Sequence, residues 1–299
     1  MERIKGVLAQ ITTPFKENED VDYDAFAFNM ERLNKSRVSG CAVFGHAGEG
    51  AMLSASEKLE LVRIAAEYIE QDKILMACTG MESARGTIQL TNRCAKLGAG
   101  CALVTAPSIC SGEGDAASVM AYYFRVAGES DIPIVICMDG FDESISAEAA
   151  ARLSRHPNIA GMVDGAGAMA HTATFMRYAE PSFQIISGDF GCWYPALAMG
   201  VSALISPLAA LCADEIAQVK EQFDLGNWGS AFELYQRLSP LNAAVTKTYG
   251  VAGLKHALER AGGKGGFVRN PLLSLETDKK QRINAIYDGA FQTQRDVII

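Results

Sequence analysis

A chain of 299 residues with 49% hydrophobic and 21% charged side chains can bury a large core, and has the size of one α/β barrel as well as of two average domains. A net charge of −8 excludes the basic footprint that sequence-independent nucleic-acid binding needs, and it disfavours anionic membrane surfaces. No apolar run approaches the roughly 20 residues of a membrane span, and the N-terminus runs into a short apolar strand without a signal peptide's longer apolar region, so a cytoplasmic protein is expected.

Short apolar runs alternate with longer amphipathic stretches. The runs at 7–12, 41–44, 74–78, 102–105, 134–138, 159–163, 184–187 and 203–206 are rich in β-branched residues or cysteine and read as strands covered on both faces. Helices are expected between them at 22–35, after Ser54, and at 83–97, 116–130, 146–154, 168–178, 192–199 and 213–225. Ser54 and Glu57 have capping-box spacing, and Gly98, Gly200 and Gly226 stand where helices should end. The eight cysteines form no C-x-x-C pair, and most lie in apolar runs, as buried thiols without a zinc or redox motif.

Eight strand–helix units in sequence imply an α/β fold, a single (β/α)8 barrel. A doubly wound sheet is the alternative, but its first strand should lead into G-x-G-x-x-G, whereas here Thr12-Thr13-Pro14-Phe15 follows. About 70 residues remain after the eighth unit. They read as three further helices, at 228–249, 251–261 and 278–287. The expected division is a barrel over 1–225 and C-terminal helices over 226–299, packed together as one structural unit.

Several strings, in order, carry a resemblance. They are Ala9-Gln10-Ile11-Thr12-Thr13-Pro14-Phe15, Gly45-His46-Ala47-Gly48-Glu49-Gly50, Cys78-Thr79-Gly80, Asn158-Ile159-Ala160-Gly161-Met162-Val163-Asp164, Ser187-Gly188-Asp189 and Arg269-Asn270-Pro271-Leu272. Together, from about residue 5 to about residue 275, they resemble the dihydrodipicolinate synthase/N-acetylneuraminate lyase family of class I aldolase barrels. The resemblance implies a lyase that forms a Schiff base between a lysine at the end of strand six and a 2-oxo acid. It also implies a homotetramer or homodimer and no cofactor.

The position that resembles the family's lysine is Val163, which cannot form an imine. The strand-five tyrosine position matches Cys137, and the first two hydroxyl positions of the loop after strand two match His46 and Ala47. The tyrosine after strand four falls near Pro107 and Ser108, and the carboxylate-binding arginine near Asp142 or Glu143. The functional positions depart together while the fold strings persist.

Active sites of such barrels lie at the C-terminal ends of the strands. By that rule the candidate substrate-binding residues are His46, Ala47, Cys137, Asp139, Val163, Gly188 and Ile205, with His46 as the candidate catalytic base because imidazole titrates near neutrality. A thiolate at Cys137 or Cys78 activated by His46 is a narrower option. A metal could stabilise an enolate without any lysine, with His46, Asp139 and Asp164 as its weak candidates. The plainer expectation is that no metal is bound, and that Glu49, Asp164 and Asp189 accept backbone hydrogen bonds in their loops. Gly161–Gly167 resembles a phosphate cradle only loosely and has no P-loop lysine, while 262–266 reads as a turn. No lysine other than the missing one is expected at a strand end: Lys16 lies in the first loop, and Lys247 and Lys255 in the C-terminal helices. Two functions follow: a lyase or hydro-lyase for a small 2-oxo acid or sugar acid that works without an imine, or a non-catalytic metabolite-binding or partner subunit of an active paralogue.

Overall fold

The computed structural model describes residues 3–110, 116–138, 146–165, 167 and 169–291. Eight parallel strands close into a barrel in chain order: β1 (Gly6–Gln10), β2 (Gly40–Val43), β3 (Ile74–Cys78), β4 (Cys101–Thr105), β5 (Ile134–Met138), β6 (Ile159–Asp164), β7 (Gln184–Ser187) and β8 (Ala203–Ser206). Pairing of β1 with β8, Leu8 opposite Ile205, completes the closure and rules out the doubly wound alternative.

Helices α1 (Tyr23–Asn34), α2 (Ala55–Tyr68), α3 (Ala84–Lys96), α4 (Ala116–Glu129), α5 (Ala147–Leu153), α6 (Met169–Tyr178), α7 (Trp193–Ala198) and α8 (Ala209–Asp224) follow the strands one by one. Their starts are set locally. The Ser54 hydroxyl accepts the Glu57 N–H while the Glu57 carboxylate accepts the Ser54 N–H, the reciprocal cap that the spacing predicts. Asp22, Ser83 and Ser146 cap α1, α3 and α5 in the same way with one bond each. Gly98, Gly200 and Gly226 take positive φ just past α3, α7 and α8.

Element limits shift by a few residues in several places, and two departures shape the C-terminal half. Helix α8 begins at Ala209 rather than 213, and its backbone is non-helical at Cys212, where the apolar periodicity restarts. The Arg32 guanidinium of α1 donates to Ala210 O and Leu211 O beside this kink, and also to Ala261 O at the end of the helix Gly250–Arg260. The expected helix 228–249 is α9 (Trp228–Ala243) followed by a π turn over Ala244–Thr248. Helix α10 (Gly250–Arg260) then starts at a glycine with φ 55°. Helix α11 (Thr277–Phe291) packs on α9 and α10.

Side chains alternate between two cores. Outward-facing residues such as Val7, Val43, Val104 and Ile136 pack under the helices. Inward-facing Leu8, Ala42, Met76, Leu103, Val135, Cys137, Val163, Ile186 and Ile205 fill the barrel. A fully buried aliphatic side chain of this kind contributes about 1.5–3 kcal/mol, so the filled interior is a packing core and the strand ends are free to carry loops. None of the eight cysteines is in a disulfide. Burial pushes the Cys41 and Cys101 thiols up to about 12, which makes them inert at neutral pH.

Candidate active site

The top inward layer is built by strand register. Thr105 lies opposite Cys137, Cys137 opposite Val163, and Val163 opposite Ile186. Val163 and Cys137 belong to the same packed interior cluster as Ile205 and are 2% and 6% exposed. Gly188 closes over this layer: a Cβ there would stand 2.8 Å from Val163 Cγ1 and 2.8 Å from Gly165 Cα, so only glycine fits. The structure therefore gathers Cys137, Val163, Gly188 and Ile205 at one place, with Ile205 wholly buried beneath the opening. Asp139, Asp142 and Glu143 lie outside the described residues.

Two inward residues were not singled out from sequence. A Cβ placed on Gly45 would stand 3.1 Å from Cys78 Sγ and 3.5 Å from Gln10 Oε1, so Gln10 and Cys78 meet beneath the β2 loop. Thr105 is exposed at the end of β4. Strand parity was the available signal: Gln10 is two residues on from inward Leu8, and Thr105 two on from Leu103.

The β2 loop is a compact turn in which Gly48 N–H and Gly50 N–H both donate to Gly45 O, and Glu49 N–H to His46 O. Phe44 and Glu49 hold positive φ, 43° and 54°. A Cβ on Gly50 would fall 1.8 Å from Phe44 O. The turn buries Ala47 and leaves the His46 ring exposed, without a hydrogen-bond partner among the described residues.

Glu49 points away from the opening. Its Oε1 pairs with Lys255 Nζ at 2.5 Å, both side chains at most 2% exposed, and its Oε2 accepts the Arg269 N–H at 2.9 Å. Lys255 also donates to Phe267 O at 2.5 Å and stands 4.5 Å from the centre of the Phe15 ring, with the Arg269 guanidinium 4.3 Å from the same ring. Burial lowers Lys255 to about 8, against the pull of the Glu49 carboxylate. Arg269 reaches on to Glu57, whose carboxyl its hydrogen bonds hold down near 2. The Glu49 side chain thus receives its backbone hydrogen bond from the C-terminal segment and not from its own loop.

The other carboxylates are also committed. Asp164 accepts Gly167 N–H at 3.1 Å and the Thr172 hydroxyl. Both of its oxygens thus serve the turn into α6. Asp189 Oδ1 accepts Gly191 N–H at 2.7 Å and Asn242 Nδ2 at 3.2 Å, and Oδ2 pairs with Lys247 Nζ at 3.3 Å. Among the described residues no three His, Cys, Asp or Glu side chains are placed to hold a metal ion.

Lysine placement follows from the same contacts. Lys58 is tucked behind the barrel wall over Phe44, 5.9 Å from its ring centre. None of the eight strands contains a lysine. Lys247 is the surprise. The sequence places it in a helix, whereas the π turn brings its ammonium to the residue after Gly188. The Cys192 thiol nearby donates to Gly167 O at 3.3 Å and is pushed up, chiefly by burial, so it is no ready nucleophile. No helix among the described residues is long and apolar enough to cross a membrane.

Comparison with known proteins agrees with this geometry. The model of the dihydrodipicolinate synthetase family matches residues 3–289. A 4-hydroxy-tetrahydrodipicolinate synthase of Archaeoglobus fulgidus is 30% identical over 284 residues, 94% of this chain and 96% of that one. Among solved structures, the dihydrodipicolinate synthase of Cyanidioschyzon merolae, with lysine bound, superposes with a TM-score of 0.90 at 27% identity, covering 96% of this chain and 98% of the other. The N-acetylneuraminate lyase of Aliivibrio salmonicida shares the fold, with a TM-score of 0.89 at 21% identity over 97% and 98% of the two chains. With a matching family model over nearly its whole length and a closed eight-stranded barrel, the chain belongs to the dihydrodipicolinate synthetase family, a family of lyase-type barrels.

Proposed function

We propose that this chain acts on a small 2-oxo acid or sugar acid as a lyase or hydro-lyase without a lysine imine. The observation that carries the reading is the inward position at the end of β6, where Val163 packs against Gly188 with Cys137 as its strand neighbour. A valine offers neither an amine to condense with a carbonyl nor a charge to stabilise a carbanion. In this reading the exposed His46 ring supplies acid–base chemistry from the β2 loop, and His46, Ala47, Cys137, Asp139, Val163, Gly188 and Ile205 line the substrate's place. A cytoplasmic homotetramer or homodimer completes it.

Intact-protein mass spectrometry after treatment with pyruvate and sodium borohydride tests the first half of the proposal. No adduct is expected. A stoichiometric adduct, mapped to any lysine, overturns it.

A second reading, a metabolite-binding or partner subunit without turnover, is favoured by the filling of the layer: Cys137, Val163 and Ile205 are all at most 6% exposed. Such a protein would return a bound 2-oxo acid or sugar acid chemically unchanged. Conversion of any such acid by purified protein, measured by proton NMR, would remove this reading.

A further inference from the structure

The C-terminal face of the barrel is short of cations. Among the described residues, the segments after the strands are 11–22, 44–54, 79–83, 106–110, 146, 165, 167, 188–192 and 207–208, and they contain one lysine and no arginine. The same described segments hold seven aspartates and glutamates. The lysine, Lys16, lies in a tight turn closed by its own N–H to Asp20 O at 2.8 Å, beside Glu17, Glu19 and Asp20. An anionic ligand approaching this face meets net repulsion unless a cation reaches it from outside the loops.

One does. Lys247 comes from the π turn between α9 and α10, and its Nζ stands 3.3 Å from Asp189 Oδ2. Asp189 follows Gly188, the residue that closes over Val163. The anchor is built rather than incidental: Asp189 is 17% exposed in its side chain and is held by Gly191 N–H and by Asn242, itself 3% exposed. The Asn242 Oδ1 is buried and has no hydrogen-bond partner among the described residues. The lysine side chain, by contrast, is 69% exposed, so Asp189 takes one of three ammonium donors and the head remains open to solvent. A continuous α-helix over 228–249 would give a different rotation to every residue after Ala243. The π turn thus sets the direction of Lys247 along with its neighbours, and such turns are frequent at functional sites.

We infer that Lys247 is the carboxylate-binding cation of this barrel, with Asp189 and Asn242 as its positioning residues. The inference rests on the reading that the ligand is a 2-oxo acid or sugar acid. It gives that ligand's charge a partner that the loops do not supply. The ammonium holds the carboxylate at the β7 edge and leaves the 2-oxo group over the apolar layer of Cys137 and Val163.

Calorimetric titration of the full chain with pyruvate, with N-acetylneuraminate and with uncharged methyl pyruvate tests it, using wild type, Lys247→Ala and Lys247→Arg, with melting curves as fold control. The expected result is tighter binding of an acid than of the ester by wild type, a loss of about tenfold for the acid alone in Lys247→Ala, and retention in Lys247→Arg. Acid binding that is unchanged in Lys247→Ala overturns the inference and leaves the 2-oxo acid reading standing. Equal losses for acid and ester in both variants also overturn it. Absence of binding of both acids to wild type overturns the inference and that reading together.

Discussion

The two sides of the barrel mouth differ in chemistry. Behind the β1 and β2 loops lies a charged knot, in which Glu49, Lys255, Arg269 and Glu57 bridge the loop to the C-terminal segment around the Phe15 ring. Across the mouth, from β5 to β8, the inward layer is Cys137, Val163, Ile186 and Ile205. Charge is thus present where it ties distant parts of the chain together, and absent from the layer where imine chemistry would need an amine. The lesson is that ionisable residues at a barrel mouth have two separate uses. A buried pair such as Glu49–Lys255 fixes loop shape, because each charge is satisfied only in one geometry. An open interior position carries chemistry only if its side chain can react.

The largest expected effect lies in the charged knot. Lys255→Met leaves the Glu49 carboxylate buried and unpaired, at a cost of about 3–5 kcal/mol. The double variant Glu49→Gln/Lys255→Met should recover most of this, since the amide still accepts the Arg269 N–H. Urea unfolding midpoints measure both. A single variant within 1 kcal/mol of wild type would mean that the knot does not hold the loop.

Next is an attempt to convert the apolar side. Val163→Lys places an amine in the interior layer beside Cys137 and Ile186, at a cost of about 2–4 kcal/mol from overpacking and desolvation. The same desolvation leaves part of the amine neutral and nucleophilic. The variant should therefore form a borohydride-trapped adduct with pyruvate at residue 163, where wild type forms none. A folded variant that traps nothing would show that the surrounding positions, and not Val163 alone, prevent the imine.

Alkaline titration contrasts the buried thiols with the buried amine. Burial raises Cys41, Cys94 and Cys101 from 9.0 to about 12, so the folded state keeps protons that the unfolded state releases. Their contribution to stability is complete below pH 9 and is lost as the pH rises towards 12. Lys255 works the other way: lowered from 10.5 to about 8, it gives up its proton first in the folded state, which favours folding as the pH rises between those values. Three thiols outweigh one amine, so stability should fall above pH 9. Thermal melting in steps from pH 7 to 11 checks the sign, and Cys101→Ala should make the fall shallower. A rise in stability above pH 9 would contradict the thiol assignment.

What the sequence made legible follows from range. The strands are short apolar runs, and Ser54 with Glu57 signals its helix within four residues, so local pattern is enough. Val163 was visible as an odd residue in a recognisable string. Closure of β1 on β8 was not a local property and rested on counting units. The partners of Glu49 are Lys255 and Arg269, more than 200 residues away, and nothing near Glu49 announces them. Lys247 lies among the C-terminal helices as expected, but its pairing with Asp189 depends on the π turn over Ala244–Thr248, which no local pattern announces. The hydrogen bonds that Asp164 accepts from Thr172 and Gly167 were likewise not legible, because they depend on how the chain turns into α6.

The smallest structural effect is expected at His46, which lies in the β2 loop but takes no part in the charged knot. Its ring is exposed and has no hydrogen-bond partner among the described residues, so His46→Ala should change stability by less than about 0.5 kcal/mol. That small cost makes it the cleanest test of chemistry at the mouth. If His46 supplies the proton transfer, the alanine variant loses about 100-fold or more in turnover of the acid substrate, with binding of that acid unchanged and an intact melting curve. His46→Gln, which keeps hydrogen bonding but cannot titrate, should fall with alanine. Should both variants turn over like wild type, the β2 loop is architecture alone. Any proton transfer would then have to come from the opposite side of the mouth.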